Sequence, residues 1–209
     1  DLPGYNECIS LIRKAAETKS WPEAGLYYPQ NMIFPYSASR AYRDGNAREP
    51  EMKAAMQFLL RDLLKAQKEW GNKNPTRRGA FPGGDDKSDH LSTGLAVISL
   101  INIGRENAAE MGLEKEYDAA LRAGIDYLLE QCIWQKPKNP ETRGKFKTPG
   151  NKCATWMSGL FFAASFWDLA HWRSQAFTVA IALEALTKYA LAYDLDLAPM
   201  GARRIRLNP

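Results

Sequence analysis

Residues 51–70 place apolar side chains at Met52, Ala55, Met56, Leu59, Leu63, Ala66 and Trp70. That spacing gives a helix with one apolar face, and charged residues fill the other side. Residues 117–131 behave the same way through Tyr117, Ala120, Leu121, Gly124 and Leu128. Both predict helices half open to water. Two further segments, 91–104 and 154–169, are apolar nearly all round. A helix of that kind is buried by neighbours on every side. The order amphipathic, buried, amphipathic, buried predicts an outer layer of helices around an inner one.

An internal repeat supports that order. KNPTRRGAF over 73–81 matches KNPETRGKF over 138–146 at Lys, Asn, Pro, Arg, Gly and Phe, without a gap. At the same offset Gly94-Leu95 matches Gly159-Leu160. Self-similarity at a fixed period marks a repeat architecture. Each unit reads as an amphipathic helix, a Gly/Pro-containing link and a buried helix. A weaker first copy has an outer helix over 6–18, a link over 21–29 and an inner helix over 35–44. In that copy Pro35 stands at the helix start and Gly45 just past its end. Residues 175–193 form a further strong helix, which makes about seven. The expected organisation is one helical-repeat domain over 1–196, with repeats near 5–45, 50–104 and 114–170, an extra helix over 175–194 and a tail over 197–209. No segment reads as a strand.

Composition changes this picture little. The chain has 209 residues, 45% hydrophobic and 25% charged, which is ordinary for one globular domain. A net charge of +4, scattered along the chain, argues against a nucleic-acid partner. The apolar runs fall short of the ~20 residues that span a bilayer. Cys8, Cys132 and Cys153 are far apart and form no CxxC pair, so neither a zinc knuckle nor a disulfide framework is indicated. The chain opens at Asp1 with no charged-then-apolar leader. That leaves a cytoplasmic protein or one exported after leader removal.

The sequence resembles the α/α-toroid superfamily of terpenoid cyclases and protein prenyltransferases. The resemblance rests on Ala66-Gln67 and Trp70-Gly71 at the end of one outer helix, then Gly79-Ala80-Phe81-Pro82-Gly83-Gly84, then the buried helix from Leu91. A second copy runs Glu130-Gln131, Gly144-Lys145-Phe146, then Ala154 onward. This is similar to that family's repeat, in which a Gln ends the outer helix and a Gly-x-aromatic link follows. Polysaccharide lyases and complement-like thioester domains share the same helix–link–helix logic. The resemblance implies an all-α fold, either an α/α toroid or an open arc of helical hairpins. The acidic DxDD motif of proton-initiated cyclases and the Cys-Gly-Glu-Gln thioester stretch are both absent.

In such a fold the links gather where the inner helices begin, and helix N-termini favour anions and carbonyls there. Asp85, Asp86 and Asp89 make a DDxxD pattern. The resemblance to class I terpenoid synthases implies Mg²⁺ and a diphosphate for it, and carboxylate oxygens suit Mg²⁺. The structural alternative has Asp89 capping the inner helix, with Asp85 and Asp86 as solvated acids beside Arg77, Arg78 and Lys87. Cys153, His90 and an Asp such as Asp85 or Asp89 form a candidate zinc set of the kind protein prenyltransferases use. The alternative there is a buried Cys and a helix-start His. Tyr28 and Trp156 are candidate aromatic walls for a cavity. Arg78 and Arg143 are expected to tie the links to helix-end carbonyls. Arg77 and Lys145 are cations suited to acidic sugars.

Three functions follow. The first is a toroid that binds a small apolar or sugar-like ligand at the inner-helix N-terminal end, with Tyr28, His90, Trp156, Arg77 and Lys145 around it. The second is a non-catalytic repeat that docks another protein, with oligomer contacts through 175–194. The third is a lyase-like enzyme acting on polysaccharide.

Overall fold

A computed structural model describes residues 4–20, 31–46, 49–83, 89–135, 153–164 and 170–195. Helices dominate it: α1 (Tyr5–Thr18), α2 (Ile33–Ala41), α3 (Pro50–Lys73), α4 (His90–Ile103), α5 (Arg105–Glu110), α6 (Glu114–Glu130) and α7 (Gln175–Ala192). Pro50 starts α3, where its missing N–H costs nothing. The face through Met52, Ala55, Met56, Leu59 and Leu63 is buried, as its spacing demands. In α4 every residue except Ile101 is buried. Glu114 and Glu116 sit in the first turn of α6, favourably placed against the helix dipole. Ser174 caps α7, its hydroxyl accepting the Phe177 N–H at 3.1 Å.

The contacts define how these helices pack. α4 packs on α2 and α7, and also on α6 and α3, while α1 packs on α3. α4 is thus the central, all-round buried helix, and α2, α3, α6 and α7 each turn one face to it. Their apolar side chains merge into one core that runs from Ile9 to Tyr189. The α4–α7 approach is close: a Cβ on Gly94 would stand 2.7 Å from Ile181 Cγ2. No helix among the described residues is long and apolar enough to cross a membrane.

The third repeat departs from expectation. Where the sequence predicts a buried helix over 154–169, the described residues form strands instead. β1 (Ile133–Gln135) pairs antiparallel with β2 (Cys153–Thr155), and β3 (Gly159–Ala164) pairs antiparallel with β4 (Ala170–Ser174). A continuous apolar run has no period that separates a buried strand from a buried helix, and this one is rich in Phe and Trp, which strands favour. The helix expected to be extra, α7, packs against α4. Gly94 and Gly159, matched by sequence, fall in a helix and in a strand.

A different equivalence appears in space. Thr93 and Thr178 are each the fourth residue of a helix, and both are buried. Thr93 Oγ1 accepts the Phe81 N–H at 3.0 Å, and Thr178 Oγ1 accepts the Gly159 N–H at 2.9 Å. Each threonine pins the link to the helix that follows it. In the first copy α2 begins at Ile33, with Pro35 in its first turn, and runs on as a π-helical turn (Tyr42–Asn46) that contains Gly45. Gly45 itself has non-helical backbone angles (φ 172°, ψ −12°), so the regular helix has ended before it, as the sequence leads one to expect.

Candidate functional site

The C-terminal ends of α3 and α6 meet the N-terminal end of α4, and polar side chains from all three gather there. Asp89 immediately precedes α4 and is 1% exposed. It holds the N-cap position, but its carboxylate does not cap the helix. It turns towards α3 instead. Oδ2 accepts the Trp70 indole N–H at 3.0 Å and lies 3.3 Å from the Arg77 guanidinium. Arg77 comes from a short 3₁₀ turn, Pro75–Arg77. Charge-assisted bonds of this kind hold a carboxylate that burial alone would expel.

His90, the first residue of α4, is also buried. Its ring stacks on Tyr127 of α6, with centroids 5.8 Å apart and planes 23° from parallel. Burial, opposed by a side-chain hydrogen bond with Gln131 and helped by the Arg77 charge, lowers the imidazole below its usual range. Burial also pushes the Tyr127 phenol up to about 12, with Asp89 adding to the rise and Arg77 opposing it. At neutral pH the cluster thus holds a neutral imidazole, a protonated phenol and a guanidinium whose side chain is one-third exposed.

Gln67 fixes the link that carries Arg77. Its amide donates to the Gly79 carbonyl at 2.8 Å and to the Ala120 carbonyl of α6 at 3.0 Å. Gly79 has φ +92°, and a Cβ there would run into the Ala123 backbone, so no other residue fits. Arg78 does not do the tying expected of it. It is exposed and makes no hydrogen bond among the described residues.

Of the residues nominated by sequence, Arg77, Asp89 and His90 come together. Asp85, Asp86, Tyr28 and Lys145 lie outside the described residues, as does the second copy of the link. Cys153 is placed by its backbone in β2, opposite Gln135. Trp156 is 1% exposed and gives its indole N–H to the Leu128 carbonyl at 2.7 Å, so it is core rather than cavity wall. No group of three His, Cys, Asp or Glu side chains among the described residues is placed to hold a metal. Sequence reading missed Tyr127. Its one signal is its place beside Leu128 on the buried side of α6.

Comparison of the chain with protein-family models, characterised proteins and solved structures gave no match.

Proposed function

We propose that this protein is an arc of helical hairpins of the α/α-toroid type that binds a small sugar-like ligand at the N-terminal end of α4. The packing of α2, α3, α6 and α7 around the buried α4 supports the architecture. The observation that carries the ligand is the convergence of Arg77, Asp89, His90 and Tyr127 at the mouth of a buried helix. Such a mixture of cation, carboxylate, imidazole and phenol suits hydroxyl and carboxylate groups better than hydrocarbon. Arg77 is the accessible edge, and a guanidinium engages a sugar carboxylate through two parallel N–H bonds. His90 reports on the site directly, because the chain has only two histidines. In a proton NMR titration with uronate oligosaccharides, its ring signals should move. Ring signals unchanged at saturating sugar would refute the reading.

A lyase-like reading is favoured by one feature, the neutral imidazole stacked on a protonated phenol beside a guanidinium. These supply a base, an acid and a charge partner for a uronate carboxylate. Incubation with uronate polymers should then yield unsaturated, ultraviolet-absorbing ends. Intact polymer after prolonged incubation would leave binding without turnover.

A further inference from the structure

A groove of about 1030 Å³ runs between the exposed sides of α3 and α6. It lies on the outer face, apart from the cluster at the head of α4. Its floor is small: Ala123 of α6 lies against Gly79, Ala119 lines the same side, and Gln67 closes the bottom by bonding both walls. Arg61, Lys68 and Arg78 stand along it, all exposed, and none makes an ion pair or hydrogen bond among the described residues. Lys65 also lines it but is satisfied by Glu69 at 3.6 Å. Glu116 is the one acid in the lining.

We propose that this groove docks an acidic peptide segment of a partner protein. The small floor lets a peptide backbone approach closely, and the unpaired cations complement its carboxylates. Arg61 and Lys68 are separated by about 10 Å of helix. An extended peptide with an acid at every second residue repeats its carboxylates about every 6.6 Å along one side, so flexible cation side chains reach successive acids. A nucleic acid fits less well. No aromatic residue lines the groove to stack a base.

The test is fluorescence anisotropy with a labelled Glu-Ala repeat peptide, its Lys-Ala counterpart and a labelled oligothymidylate. The Glu-Ala peptide should bind, weaken as salt is raised and outcompete the other two. Arg61→Glu and Lys68→Glu should each raise its Kd about tenfold, since each removes an attraction and adds a repulsion. Ala119→Trp, at an exposed position, should block the groove with no change of charge. Lys14→Glu, exposed on α1, should leave Kd unchanged. The proposal is overturned if the Glu-Ala peptide does not bind, if Lys14→Glu weakens it as much as Arg61→Glu, or if oligothymidylate displaces it.

Discussion

The Arg77 guanidinium lies 3.3 Å from the Asp89 carboxylate, which is fully buried, while Arg77 itself is one-third exposed. The pair joins the turn after α3 to the head of α4. Trp70 shares the same carboxylate oxygen. Removing one partner strands a buried charge, which is costly in a dry site and less so where water reaches the pair. Arg77→Met should therefore destabilise the fold by about 2 kcal/mol in urea unfolding. Trp70→Phe should cost about 1.5 kcal/mol by loss of a bond to a charged acceptor. The double variant should depart from additivity, because the two donors share one oxygen. Simple addition would show that they act independently.

His90 makes stability depend on pH, and the sign follows from the direction of its shift. Its folded pKa lies below the usual 6.5, so above that value both states are neutral and nothing is gained or lost. Below it the unfolded chain binds a proton that the folded chain refuses. Stability should fall with falling pH, by up to about 1.4 kcal/mol per unit, until the buried ring itself titrates. Denaturation midpoints from about pH 7.5 to about pH 5.5 should show this loss, reduced in His90→Gln. An unchanged slope in the variant would remove His90 as the cause.

Gly79 has no tolerated replacement. Gly79→Ala should lower stability by about 2–3 kcal/mol, from strain at positive φ and collision with the Ala123 backbone. It should also lower affinity for any ligand that touches Arg77, two residues away. Thermal unfolding and binding measured together would test both statements.

Thr93 and Thr178 should behave alike. Replacement by Val leaves a buried link N–H without its acceptor, at about 1–2 kcal/mol in each case. Sequence alignment pairs Gly94 with Gly159 instead. If Thr178→Val is neutral while Thr93→Val is costly, the two links are not equivalent.

Much of the helical framework is legible in the sequence. Met52 through Leu63 and Tyr117 through Leu128 show their period because one face meets water and the other does not. Residues 154–169 defeat the same logic, because an apolar run lacks the polar face that reveals a period. The identity KNP…R-G-x-F suggests a buried helix after its second copy, whereas the helix that packs on α4 is α7, which only the contact reveals. At the site, Asp89 is recognisable as a helix-start acid. Its turn towards Trp70 and Arg77 depends on how the end of α3 meets α4, which no local pattern encodes. Tyr127 is invisible for the same reason: its partner His90 lies on another helix, more than thirty residues earlier in the chain.

Ligand binding at the head of α4 is tested most directly by calorimetric titration with a uronate oligosaccharide and its neutral counterpart, on the unaltered protein and on Arg77→Met. The proposed site requires heat with the uronate, less with the neutral sugar, and loss of the uronate signal in the variant while its circular dichroism stays helical. Absence of heat with either sugar, or an equal signal in the folded variant, would contradict a sugar-binding site there.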